Sequence, residues 1–172
     1  AAFAFVMSML VSYDFFTSPA YSYPGYVTSS IKWFSLGGFD INLGYYVDSL
    51  SCLMMLFASF ISMLIFIYSL GYMGDQGERQ RRYFAEVALF LTGMLGLSAS
   101  SNLVEMFIFW EVMGLCSYLL IGFWGFNHPE GDDKADNAAS AAKKAFLVTR
   151  LGDVCLMAGL FVLYEAMGSP DY

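Results

Sequence analysis

The sequence predicts an all-α, polytopic membrane protein with about four complete transmembrane helices, one partial helix at the N-terminus and a small extracytoplasmic β-hairpin. Three observations carry this expectation. Of the 172 residues, 58% are hydrophobic and only 13% charged, whereas a soluble domain is usually near a quarter charged. Uncharged runs are long: 26 residues between Asp48 and Asp75, 18 between Glu86 and Glu105, and 16 from Val112 to Asn127. About 20 apolar residues are enough for a helix to cross a ~30 Å hydrocarbon core. The basic residues, finally, gather on alternate connections, as they do in multi-pass proteins.

The chain opens Ala1-Ala2-Phe3 inside an apolar stretch with no basic leader. Residues 1–13 therefore read as the tail of a spanning helix and not as a cleavable signal. Residues 14–45 form an extracytoplasmic connection punctuated by Ser18-Pro19, Tyr23-Pro24-Gly25 and Gly37-Gly38, all loop signals. Within it, Phe39-Asp40-Ile41-Asn42-Leu43 alternates apolar and polar. With Gly37-Gly38 separating it from Ile31–Leu36, a β-hairpin is expected there. Spans follow at 46–72, 83–98, 103–126 and 138–167, joined by the hydrophilic loop Gly74–Arg82, a tight Ser-Ala-Ser-Ser-Asn connection, and the polar loop Asn127–Asn137.

Orientation comes from the basic residues. Arg79, Arg81 and Arg82 lie in the first hydrophilic loop, and Lys134, Lys143 and Lys144 lie around the loop two spans later. An even number of crossings separates them, so they share a side. The opposite side offers only Lys32, with nothing basic at 98–102 or after Arg150. The positive-inside rule then puts the Arg79–Arg82 loop in the cytoplasm or its organellar equivalent. A prokaryotic plasma membrane is the expected setting, with an organelle inner or thylakoid membrane as the other. The formal charge of −7 argues against nucleic acid as a partner. Cys52, Cys116 and Cys155 each sit alone in an apolar stretch and read as small buried hydrophobes, not disulfides or metal ligands.

A charge near the bilayer centre costs roughly 2.5–3.5 kcal/mol on insertion scales, so the few inside spans deserve a role. Glu111 is the sharpest. At 100° per residue, Glu111, Gly114, Tyr118, Gly122 and Gly125 fall on one stripe, and small residues allow close helix approach in lipid. Glu111 is thus expected to face protein. There it serves either as a proton-relay carboxyl or as a structural ligand to a neighbouring helix; the rarity of intramembrane acids favours the relay. Arg150 and Asp153, three residues apart, can pair on the last helix, for function or only to offset their burial. Lys143 shares the Arg150 face, while Lys144 points about 120° away; both can instead snorkel to headgroups. Glu86 and Glu105 are expected at interfaces and not buried. His128, the sole histidine, lacks a second ligand nearby and reads as a loop residue. The methionines and tryptophans read as packing or lipid-facing. No phosphate loop, cysteine cluster or nucleophile–base pairing appears, so no redox cofactor is expected on this chain.

Specific motifs now add to this reading. The run Phe109-Trp110-Glu111-Val112-Met113-Gly114-Leu115-Cys116-Ser117-Tyr118-Leu119-Leu120-Ile121-Gly122-Phe123-Trp124 resembles the fifth transmembrane helix of the large, L-type antiporter-like subunit of complex I, a pattern shared by plastid and archaeal F420H2 dehydrogenase relatives. Lys144-Ala145-Phe146-Leu147-Val148-Thr149-Arg150-Leu151-Gly152-Asp153 resembles the family's sixth-helix signature. Asp48-Ser49-Leu50-Ser51 and Tyr68-Ser69-Leu70-Gly71-Tyr72-Met73 resemble the two ends of its third helix. The resemblance covers residues from about 45 to 168. Mrp-type antiporter subunits share the Trp-Glu pair but have a Ser-rich, cysteine-free continuation, and the smaller complex I relatives lack Gly-Leu-Cys-Ser-Tyr.

The resemblance implies a proton-translocating subunit of an NADH:quinone oxidoreductase, part of a fold of two inverted five-helix repeats with broken helices near the midplane. It implies that Glu111 is the carboxylate protonated during pumping, paired in the family with a lysine on the broken seventh helix. Lys144, Arg150 and Asp153 match the adjoining polar network, although the helical projection prefers Lys143 to Lys144. NADH, FMN, Fe–S clusters and quinone are implied on partner subunits. The expected partners are the other membrane subunits, especially the neighbouring antiporter-like one, and the lipid bilayer. The chain is expected to be an N-terminal fragment that stops before the seventh helix and so lacks the partner lysine. Two further readings stay open: a cation/proton antiporter subunit without a redox partner, and a membrane scaffold in which Glu111 only packs.

Overall fold

The computed structural model describes residues 1–18, 26–36, 39–74, 77–125 and 133–167. Five helices and one hairpin follow in the order α1 (Ala2–Thr17), β1 (Tyr26–Leu36), β2 (Phe39–Asp48), α2 (Ser49–Tyr72), α3 (Glu78–Ala99), α4 (Leu103–Ile121) and α5 (Asp133–Met167). Among the described residues, α2, α4 and α5 are long and apolar enough to cross a membrane, and α1 is a shorter apolar helix. Helix α3 has 22 residues but carries Arg79, Arg81, Arg82 and Glu86 in its first half, which takes it below that measure. The four complete spans expected are thus three by this criterion. The chain is an integral membrane protein, mostly helical, with one two-stranded antiparallel sheet.

The hairpin is longer than the alternating run suggested. It pairs Tyr26↔Asp48 through Leu36↔Phe39, with a bulge at Trp33. The Gly37-Gly38 turn and the Pro19 and Tyr23-Pro24-Gly25 signals lie outside the described residues. Tyr26 and Tyr46 stack at 5.1 Å across the strands. Strand β2 runs directly into α2, because Asp48 ends the strand and caps the helix: its carboxylate accepts the Ser51 N–H at 2.7 Å. Helix α2 therefore starts at Ser49 and not at Tyr46.

Each helix packs on its neighbour in the chain, α1 on α2, α2 on α3, α3 on α4 and α4 on α5, and β2 touches α2 and α3. Small residues set the close contacts, as expected where lipid supplies no hydrophobic drive between helices. Helix α1 buries Ser8 and Ser12, and α2 buries Cys52, Ala58 and Ser59. Between α3 and α4, a Cβ at Gly96 would overlap the Phe109 ring. At the hairpin end, Phe15, Val47, Cys52 and Met55 form a core against Leu95 and Ala99.

Helix ends follow their polar groups. The N-terminus of α4 is a capping box. Asn102 Oδ1 accepts the Glu105 N–H at 2.8 Å, and Glu105 Oε2 accepts the Ser101 N–H and hydroxyl, each at 3.0 Å. Asn102 also donates to the Asn42 carbonyl at 2.5 Å, tying the hairpin to the α3–α4 turn. Helix α4 ends at Ile121, five residues before the expected end, because residues 122–125 turn. A Cβ at Gly125 would lie 2.7–2.8 Å from Ala135 and Ala139, so only glycine admits α5 so closely there. Helix α5 begins at Asp133, earlier than the expected 138, since Asp133 and Asp136 in its first turn complement the helix dipole.

Candidate functional site

The stripe on α4 meets α5. Tyr118 packs on Phe146 at 5.0 Å between ring centroids, and a Cβ at Gly114 would sit 3.7 Å from Arg150 Nη2. Gly125 closes the same face against Ala135 and Ala139. On α5 the contacting row is Ala135, Ala142, Phe146, Arg150 and Asp153 at helical steps. Helix periodicity in both segments therefore brings Glu111 and Arg150 together.

At the centre, Arg150 Nη1 pairs with Glu111 Oε2, and the same nitrogen lies 3.5 Å from Asp153 Oδ2. One guanidinium nitrogen thus serves two carboxylates on two helices. The Arg150 plane rests on the Phe146 ring, 4.6 Å from its centroid, a cation–π contact. Arg150 Nε is buried and makes no hydrogen bond among the described residues. The side chains of Glu111, Arg150 and Asp153 are 27%, 29% and 11% exposed, so the cluster is partly enclosed by α4 and α5 alone. Eight residues into α4, Glu111 lies about 12 Å from the start of that helix.

The tryptophan beside Glu111 completes the group. Trp110 Nε1–H donates to Asp153 Oδ1 at 2.9 Å. Trp110, expected to be a packing or lipid-facing residue, is instead a donor within the cluster. The available signal was an indole N–H inside an apolar span, which needs an acceptor, with a single acid three residues beyond Arg150. Lys143 and Lys144 are both exposed, and neither is joined to the cluster by an ion pair among the described residues. The projection that favoured Lys143 is overtaken by Ala142, which is fully buried and occupies the contact row. His128 lies outside the described residues.

Three other expectations are corrected. Glu105 is buried because it closes the capping box. Glu86 is buried at 6% exposure, with Oε1 accepting from Arg82 Nε at 2.7 Å; the arginine one turn away draws it inward. Cys155 is exposed on α5, whereas Cys52 and Cys116 are buried.

Apolar helices that hold a carboxylate–guanidinium–carboxylate cluster between two of their number define a multi-pass membrane protein with charge stored inside its spans. Residues 33–84 match the family model for the N-terminus of chain 5 of NADH-ubiquinone oxidoreductase (complex I), and residues 100–171 match that for the transmembrane region of NADH:quinone oxidoreductase/Mrp antiporter subunits. The chain is 46% identical over 143 residues to NAD(P)H-quinone oxidoreductase chain 5 of Synechocystis, covering 83% of this chain and 20% of that protein. It is 42% identical over 162 residues to F(420)H(2) dehydrogenase subunit L of Methanosarcina mazei, covering 94% of this chain and 22% of that one. The chain thus spans about one fifth of the length of these relatives. Its fold is similar to part of the Mrp complex from Dietzia (TM-score 0.64, 21% identity, 98% of this chain and 17% of that one). It is likewise similar to part of the archaeal membrane-bound sulfane sulfur reductase (TM-score 0.63, 20% identity, 99% and 32%). The chain belongs to the chain 5, or L-type, family of antiporter-like complex I subunits.

Proposed function

We propose that this chain is part of the proton-translocating membrane subunit of a complex I-type NADH (or related donor):quinone oxidoreductase. The observation that carries the reading is the shared guanidinium: Arg150 Nη1 sits between Glu111 and Asp153. A proton arriving on Glu111 cancels its attraction for Arg150, and the guanidinium then turns to Asp153 Oδ2, already 3.5 Å away. A charge displaced nearby by redox energy reverses the exchange and expels the proton. Such a group needs a second stable position for the cation, and Asp153, held by Trp110, supplies one.

In this reading Glu111 is the proton-carrying carboxyl, and Arg150 and Asp153 are its network. Lys144, exposed on α5, joins the network through a side chain contributed by more of the protein. Helices α3, α4 and α5 are the first three of an inverted-repeat unit, and the hairpin is extracytoplasmic. The Arg79–Arg82 loop is cytoplasmic. Nicotinamide, flavin, Fe–S and quinone chemistry resides on partner subunits, and the nearest partner is the adjoining antiporter-like subunit. Glu111→Gln in the full-length, assembled complex tests this. The expected outcome is quinone reduction with a normal subunit pattern and proton pumping reduced at least tenfold, consistent with the weight of a positioned acid–base group. Pumping at the wild-type level would leave Glu111 a packing residue.

A second reading is favoured by the description of the matched transmembrane family, which also covers Mrp antiporters. In that case the complex exchanges cations without redox chemistry. Purification of the tagged full-length subunit separates the two: flavin and Fe–S absorbance in the isolated complex supports the first, and its absence with cation-dependent proton exchange supports the second.

A further inference from the structure

A second acid lies inside the helices and has no part in the Glu111 cluster. Glu86 is 6% exposed. Its Oε1 accepts from Arg82 Nε at 2.7 Å, yet its Oε2 is buried and has no hydrogen-bond partner among the described residues. The groups that act on it are Arg82 on its own helix, by the ion pair, and, through longer-range electrostatics across the α3–α4 contact, the Cys116 thiol. A buried carboxylate oxygen with no donor is costly while ionised. A proton on Oε2 removes that cost and leaves Oε1 free to keep or release Arg82. Arg82 is one-third exposed, so its guanidinium can swing outward to the polar end when the pair is neutralised.

The position of Glu86 gives this exchange a direction. The short connection at 100–102 makes α3 and α4 antiparallel, and Tyr83 meets Phe123 at 5.7 Å where α3 begins and α4 has ended. Cys116 follows Glu111 by five residues, which places it about 7–8 Å nearer that end. Glu86 lies about one turn into α3 from Tyr83, and Gly93 is where α3 meets Met113, two residues past Glu111; Glu86 therefore stands between the Arg79–Arg82 end and the level of Glu111.

We propose that Glu86 is a proton-loading carboxylate for the Glu111 site, taking a proton at Oε2 from water on the Arg82 side. The proton forms the O–H bond there and leaves by the same bond, with no other reactant. The proposal rests on the relay reading of Glu111. It is tested in the full-length complex reconstituted in sealed vesicles, by pumping and by redox-induced infrared difference spectra. With Glu86→Gln, a protonated-carboxyl band should vanish and pumping should fall by on the order of tenfold, less than a directly reacting group contributes. Glu86→Asp should restore most of the pumping. A spectrum identical to wild type in Glu86→Gln overturns the proposal whatever happens to pumping, and unchanged pumping alongside a lost Glu111→Gln phenotype overturns the relay instead. If Glu86→Gln does not assemble, glutamate-selective 13C labelling of the Glu86→Asp complex reads the same band. There one isotope-shifted glutamate component of the labelled wild-type complex must be missing, and a spectrum identical to that of the labelled wild type rejects the assignment.

Discussion

Arg150 has more acceptors within reach than its one inward nitrogen can serve well, and Trp110 decides how the competition stands. By donating to Asp153 Oδ1 at 2.9 Å, the indole takes up part of that carboxylate's demand and leaves Arg150 to Glu111. A hydrogen bond to a charged group contributes roughly 1.5–3 kcal/mol. Trp110→Phe keeps the ring and removes the donor, so Asp153 should draw Arg150 away. The expected result is an assembled complex whose pumping falls by about tenfold, the equivalent of ~1.4 kcal/mol. With Asp153→Asn already present, the same change should cost much less, and a double-mutant cycle on pumping rate checks that coupling. Glu111 and Asp153 were visible in the sequence because charge is scarce in the spans. Trp110 was not, because one indole among many aromatics carries no mark until its acceptor is located on another helix.

At the scale of elements, the capping residue Asn102 does two jobs. Its carbonyl oxygen caps α4 and its amide donates to Asn42. Asn102→Asp keeps the first and loses the second; Asn102→Ala loses both. Loss of an N-cap costs about 1 kcal/mol, so thermal stability of the assembled subunit should fall in the order wild type, aspartate, alanine. Equal losses for the two variants would mean that the cap contributes nothing. The helices themselves were legible from uncharged runs, and the hairpin core from alternation around Gly37-Gly38. Their ends were less so. Residues 133–137 are polar enough to read as loop, yet acids in a first turn favour the helix dipole. Glu105 reads as interfacial from its place near a span end, yet Asn102-Leu103-Val104-Glu105 is itself a capping-box pattern. Glu86 could not be placed because an i,i+4 pair with Arg82 is equally compatible with an interfacial and a buried position.

The molecule as a whole exposes apolar side chains along its helices, among them Leu147, Val148, Leu151, Val154, Phe161 and Val162 on α5. Lipid, or further helices, must cover them. Helix α5 has 35 residues and is about 52 Å long, well beyond a ~30 Å hydrocarbon core. In the proposed topology its polar first turns project from the membrane on the side of the α2–α3 loop. Cysteines introduced at Gly77 and Asn137 should react with an impermeant maleimide from the same face of oriented vesicles, and one at Ser29 from the opposite face. Reaction of Gly77→Cys and Asn137→Cys from different faces would break the proposed topology.

The packing of every helix on its neighbour in the chain also bears on how the protein is made. Each pair can meet as soon as its second member leaves the ribosome, without waiting for distant sequence, and contacts this local form quickly. The bond from Asn102 to Asn42 is different, because sixty residues separate its ends. It can close only after α2 and α3 are in place. In the proposed topology the hairpin therefore waits across the membrane from the ribosome, its edge unlatched, until α3 has crossed and Asn102 has followed it.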